Sequence, residues 1–298
     1  MNQQKSILAV GSIALDSLIT PKGNRENILG GSASYFSISA SYFAPVSLVG
    51  VVGNDFPKSG IELFESHKID ITNLEIHEGK TFRWSGEYSR DYNARETLST
   101  ELGVFENYMP TIQKTYKTHP FVFLGNIQPE LQMSVIKQIS NSEMIICDTM
   151  NLWIDLCLPE LKEVLKKIDV FLLNDEEAIQ ITGEQNLIKA SDKLQQFGPK
   201  TVVVKQGASG ALLSHGNEKI QVPVVPDIDV FDPTGAGDSF AGGFVGHLAK
   251  HGTNDLLKAV ITGASVASFT VSDFGLDGLL QTDLEQIKKR CKTIEKLL

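Results

Sequence analysis

The stretch Val230-Phe231-Asp232-Pro233-Thr234-Gly235-Ala236-Gly237-Asp238-Ser239-Phe240 constrains this chain more than any other. It follows an apolar, proline-punctuated run at residues 222–230. It leads into a pattern in which Phe240, Phe244 and Leu248 recur every fourth residue, one face of a helix. Pro233 biases Asp232 toward extended backbone. Gly235 and Gly237 let the chain turn sharply and approach a ligand closely. The unpaired N–H groups of a helix start converge there on one spot, which suits an anion. Asp238 falls in the first helical turn. It is either a helix-start acid favoured by the dipole or a general base held beside the anion hole. Gly-Ala-Gly-Asp at a strand-to-helix junction points to the second.

The 298 residues are 42% hydrophobic and 21% charged, enough for one large α/β domain with a sizeable core. The net charge of −9 and short lysine runs (Lys166-Lys167, Lys288-Lys289-Arg290) give no nucleic-acid footprint. Cys147, Cys157 and Cys291 have no metal-ligand spacing and fit a reduced compartment. The apolar run at residues 7–10 is too short for a signal or a membrane span, so a cytoplasmic protein is expected.

Residues 6–13 read as a buried central strand, with Asp16 just beyond it. Residues 46–53 read as a second. Between them, Gly30-Gly31 precede a small-residue helix that carries Tyr35. Asp55 and Pro57 open a short helix. Gly79-Lys80-Thr81 is no P-loop, because Leu74 stands where the first glycine would be. Residues 81–88 alternate, with Phe82, Trp84, Gly86 and Tyr88 on one face and Arg83, Ser85 and Glu87 on the other. Residues 95–102 read as the return strand of a hairpin.

After Pro120 the order is regularly strand then helix. Residues 121–125 form a strand ahead of Asn126, and residues 144–148 one ending at Asp148 near Asn151. Pro159 opens a helix, and residues 170–173 form the next strand. Asn174-Asp175-Glu176-Glu177 reads as a capping box. Residues 201–205 form a strand ending in Lys205, followed by the Gly207–Gly210 turn and a second strand. The helix at residues 253–270 is rich in small residues around Gly263. His247 and His251 stand four apart but lack a third ligand, so zinc is not expected.

The glycine stretch resembles the C-terminal signature of the ribokinase-like (PfkB) family of sugar and nucleoside kinases. The other motifs follow in that family's order along nearly the whole chain. The resemblance implies a single domain over residues 1–298: three α/β/α layers around a mostly parallel sheet, with a small β-lid at about residues 14–30 and 80–102. It implies an ATP- and magnesium-dependent kinase acting on a hydroxymethyl group. Asp238 would be the base, and the amides of Gly235, Ala236 and Gly237 the anion hole. Asp16, Gly30, Gly31, Tyr35 and Asn126 would hold substrate. Asn174, Glu177, Lys205, Gly207, Gly210 and Gly263 would hold ATP, with magnesium organised near Asn174 and Glu177. A monovalent cation is possible in some relatives' manner.

Two departures are plain. Tyr35 replaces a common asparagine, and Trp153 follows Asp148 and Asn151 where an arginine is usual. A sugar or polyol is the first expectation for substrate, a nucleoside the alternative. A homodimer through the lid is also implied. A non-catalytic nucleotide or sugar sensor is disfavoured by the intact Asp238. A nucleotide-dependent reductase is disfavoured by the missing Gly-x-Gly-x-x-Gly.

Overall fold

In a computed structural model describing residues 5–92 and 94–298, every residue of β1 (Ile7–Val10) is buried. The expectations for residues 1–4 and for Asn93 in the hairpin turn lie outside the described residues. β1 sits inside a nine-stranded sheet. From edge to edge the strands are β13 (Glu218–Val222), β12 (Ala211–His215), β11 (Thr201–Lys205), β10 (Val170–Asn174), β9 (Met144–Cys147), β8 (Phe121–Leu124), β1, β4 (Val46–Gly53) and β5 (Asp70–His77). From β11 to β5 all pairs are parallel; β12 and β13 add an antiparallel edge hairpin. A parallel sheet is covered on both faces, so its strands read as unbroken apolar runs such as Ile-Leu-Ala-Val. Two apolar clusters, one per face, supply that cover. In one of them Phe36 stacks on Phe123 with ring centroids 3.8 Å apart.

A second sheet holds β2 (Ala14–Thr20), β3 (Gly23–Gly30), β6 (Phe82–Tyr88) and β7 (Arg95–Glu101), in the order β3-β2-β6-β7. β2 and β6 are parallel and the outer pairs antiparallel. β7 is exposed along its whole length. The hairpin of residues 81–102 therefore belongs to this small sheet and not to the edge of the main one.

Two local expectations change. The helix preceding β10 starts at Asn151, not Pro159; Asn151–Leu165 is bent at Cys157 (φ −136°), just ahead of the proline that cannot donate to the helix ladder. Asp55 does not cap the helix Lys58–Ser66. Its carboxylate accepts from the N–H and hydroxyl of Thr81, both at 2.7 Å, and pairs with Arg83 at 2.8 Å.

Candidate active site

Parallel strands put their C-terminal ends on one side of the sheet, where loops build a crevice. There Asn174 and Lys205 end neighbouring strands in register. Asp148 follows β9. Its carboxylate binds the Lys205 ammonium at 2.7 Å, with the two side chains only 5% and 16% exposed. The start of the helix Ala236–His251 lies against this pair. A methyl group on Gly237 would stand 3.1 Å from the Lys205 Nζ. The glycine turn and the lysine therefore form one surface.

Gly235 has φ +72°, a left-handed backbone that glycine adopts without strain. A side chain there would run into the Tyr35 ring at 2.3 Å. The Ser239 N–H makes a helical bond to the Gly235 carbonyl at 2.8 Å. Ahead of it the Ala236 N–H turns back to the Pro233 carbonyl at 3.2 Å. Of the expected amide trio, the Ala236 N–H is engaged in this local turn. Below the turn, Asp232 is fully buried and accepts from the N–H groups of Thr234 and Gly275, both at 2.9 Å.

Three carboxyls around this crevice are pushed up to about 7. Burial is the main cause for Asp238, reinforced by Asp148 and opposed by Lys205. Glu177 follows the same pattern. For Asp16 burial again dominates; the Gly31 N–H works against it, and Asp232 and Asp238 add to it. Burial pulls the Lys205 ammonium down, but Asp148 and Glu177 outweigh it and the net shift is upward. The site thus gathers more negative than positive groups, as suits a cradle that receives cations or donor-rich ligands.

The lid brings the opposite charge. Arg95 lowers the carboxyls of Asp16, Glu177 and Asp238. It pairs with Tyr88 across β7 and β6, and its guanidinium lies 5.2 Å over the Trp84 ring. Tyr88 shares a 2.9 Å hydrogen bond with the Thr234 hydroxyl, and Tyr92 donates to the Phe231 carbonyl at 3.2 Å. Lys22 and Arg25 sit over the rings of Phe231 and Phe274. The lid is therefore docked on the loop that forms the glycine turn.

Register fixes which lid face looks inward. Ile28, Asp16, Trp84 and Thr100 pair in one row across the sheet and so share a face. Asp16 is buried in the crevice and Trp84 shares its face, the indole lying over Gly86 and donating to the Thr97 hydroxyl at 3.3 Å. Arg83 belongs to the other face, where it binds Asp55, and Glu87 is exposed. Gly30 leaves room for Asp16: a methyl group on it would come 1.9 Å from Oδ2. Asn126 sits at the centre of a tight turn after β8, closed by the Ile127 N–H to the Gly125 carbonyl at 2.8 Å.

On the other side, Asn174 and Glu177 form a reciprocal capping box, with bonds of 2.7 and 2.8 Å. It occupies Asn174 Oδ1 and Glu177 Oε2. Gly207 is exposed at φ +52° with no atom within 4 Å of where a side chain would start. Gly210 is buried, and a methyl group there would meet the Val222 carbonyl at 2.0 Å.

A pfkB family carbohydrate kinase profile matches residues 7–283. The chain belongs to that family. It is a phosphotransferase of the carbohydrate and nucleoside kinase type. Among its relatives, a cytidine kinase of Thermococcus kodakarensis is 30% identical over 82% of this chain and 88% of its own. The solved nucleoside kinase of Methanocaldococcus jannaschii superposes with a TM-score of 0.79 at 21% identity, covering 98% and 99% of the two chains. A putative ribokinase II of E. coli, solved with ATP and Mg2+, gives 0.80 at 18% identity over 97% and 99%. No helix among the described residues is long and apolar enough to cross a membrane.

Two predicted residues of this kinase have other surroundings. Gly263 is buried where the helices Ala236–His251 and Leu256–Thr270 cross; a side chain there would strike the Phe240 carbonyl at 2.7 Å. Packing alone accounts for its glycine. Tyr35 is 1% exposed, its ring beneath Gly235 and its hydroxyl without a hydrogen-bond partner among the described residues. His247 bonds Asp255 and Thr262, both at 3.0 Å, and no metal-binding trio of His, Cys, Asp or Glu occurs among the described residues. Arg95 escaped the sequence reading. Its one signal was its place at the start of the return strand, opposite Tyr88.

Proposed function

We propose that this kinase transfers the γ-phosphoryl group of ATP to the hydroxymethyl group of a nucleoside. Asp16 sharing the inner lid face with the aromatic Trp84 carries the substrate assignment. A carboxylate accepts from two vicinal hydroxyls, as on a ribose. With the Arg95 guanidinium swung from its ring toward the phosphates, the indole would supply a flat surface for a base. A sugar alone would use the first and leave the second idle. Arg83 and Glu87, which would have favoured a hydroxyl-rich ligand, face away. The cytidine kinase relative supports the same substrate class. A sugar or polyol is the second candidate, favoured by Asp16, which serves either ligand.

In the proposed reaction Asp238 takes the proton of the hydroxymethyl group as its oxygen bonds to the γ-phosphorus. The bond from that phosphorus to the bridging oxygen breaks, and ADP leaves. A carboxyl near pH 7 is well matched to that proton transfer. The amides of Gly235 and Gly237, Lys205 and Arg95 balance the charge that spreads over the phosphoryl oxygens. Gly207 leaves open backbone beside the phosphates. Magnesium would ride on the phosphates, with Glu177 close by. Residues 1–298 act as one kinase domain, with residues 14–30 and 80–102 as the lid. The exposed outer strand β7, with Leu98 47% exposed, suits a lid-mediated homodimer. Light scattering of Leu98→Glu checks this: a dimer that survives uses another surface.

ATP-dependent phosphorylation of cytidine, adenosine, guanosine, ribose, fructose and myo-inositol under one condition tests the substrate class. A nucleoside should exceed every sugar in kcat/KM by about tenfold or more. A tenfold preference for any sugar or polyol would overturn it.

A further inference from the structure

Trp153 stands where the family's arginine is expected, and its indole N–H donates to Asn126 Oδ1 at 3.1 Å. An indole N–H can only donate, so the atom facing it must be the amide oxygen. The two ends of the Asn126 amide are thereby told apart. Nδ2, which donates only, is the end turned away from Trp153.

The backbone around Asn126 is equally constrained. The tight turn at Gly125–Ile127 projects its side chain. A methyl group on Gly125 would lie 2.9 Å from the Ser32 hydroxyl, at the start of the helix that follows Gly30-Gly31. Gln132, fully buried, donates to the carbonyls of Gly125 and Asp148 at 2.9 and 3.0 Å and ties the two strand ends together. Trp153 rises from the helix Asn151–Leu165 directly after the second of those ends. The strand end that carries Asn126 thus packs, through Gly125, against Ser32, which directly follows the Gly30-Gly31 turn.

We infer that Trp153 is a positioning residue for substrate specificity. By holding Asn126 Oδ1, it makes the site present a hydrogen-bond donor opposite the acceptor Asp16. The bound substrate must then offer an oxygen acceptor at Asn126 and hydroxyl donors at Asp16. A ribosyl group with both 2′- and 3′-hydroxyls meets this demand better than a deoxy analogue. This rests on the active-site assignment above, but not on the choice between nucleoside and sugar.

The test uses whichever substrate the wild-type chain phosphorylates best, so failure of the nucleoside assignment is read separately from failure here. Trp153→Phe keeps the ring and removes the N–H. It should lower kcat/KM for that substrate about five- to tenfold, chiefly through KM, and leave the KM for ATP unchanged. Combining it with Asn126→Ala should cost no more than Asn126→Ala alone. The loss should shrink for whichever deoxy analogue lacks the oxygen at Asn126. Asn126→Asp is the second variant: it still accepts from Trp153 but offers no donor, and should match Asn126→Ala. Additive losses, an equal rise in the KM for ATP, or wild-type kcat/KM in Asn126→Asp would each overturn the inference.

Discussion

The crevice floor and the lid are built on opposite terms. The floor is made of strand ends inside the main sheet, and its charged groups are packed against one another: Lys205 on Asp148, Glu177 in its capping box, Asp238 on the helix start. The lid is a four-stranded sheet with one strand fully exposed; it contacts the glycine-turn loop through Tyr88, Tyr92, Lys22 and Arg25 and the main sheet through Arg83 on Asp55. A floor so constrained holds reacting groups without reorganisation, which is what charge stabilisation needs. In the proposed reaction the lid, buried along β2 but exposed along β7, carries the groups that choose the substrate. Arg95 apart, chemistry and selectivity should therefore separate by region.

The largest break comes from the floor. Asp238→Asn should cut kcat by at least about 10²-fold while ATP still binds; near-normal turnover in the folded variant would end the base assignment. Gly30→Ala lies between floor and lid. Its methyl group would overlap Asp16 Oδ2, so the carboxylate must move, and kcat/KM for the nucleoside should fall roughly 10²-fold at unchanged ATP affinity. Steady-state kinetics in both substrates separates the two effects. On the lid, Arg95→Ala should cost about tenfold, the worth of a charge-assisted contact to the phosphoryl group. Equal loss in a pure ATP-binding assay would place Arg95 on the nucleotide instead.

The smallest effect is one of stability. Asp16, Glu177 and Asp238 keep their protons to about pH 7 in the folded chain, whereas an unfolded chain releases them near pH 4. The native state then binds more protons across that window, so these groups make the chain less stable as pH rises from 4 to 7. Asp238→Asn removes one of the three. It should raise the melting temperature by about 2–4 °C at pH 8 and change it little at pH 5. Equal melting curves at both values would mean Asp238 is not forced to ionise in an adverse setting.

Much of the floor was legible in the sequence because it rests on backbone. Gly235, Gly237 and Asp238 announce a turn and a helix start; Asn174 and Glu177 announce a capping box; Lys205 ends an apolar run. What escaped depends on long-range pairing. The Lys205–Asp148 bond joins residues that meet only once β9, β10 and β11 are ordered. Which lid face turns inward follows from the parallel pairing of β2 with β6, which alternation in either strand alone does not reveal. At Gly263 a helix crossing and a nucleotide wall both call for a small residue, so the sequence does not tell them apart. The local turn from the Ala236 N–H to Pro233 is likewise invisible in the glycine pattern.

The division between floor and lid is tested most directly by Trp84→Ala, read as a ratio. Base stacking on an aromatic side chain is worth about 1–3 kcal/mol, so kcat/KM for the preferred nucleoside relative to ribose should fall about tenfold or more. In Asp238→Asn the same ratio should stay at the wild-type value while both rates drop together. An unchanged ratio in Trp84→Ala, or a shifted one in Asp238→Asn, would contradict the separation of chemistry from selectivity.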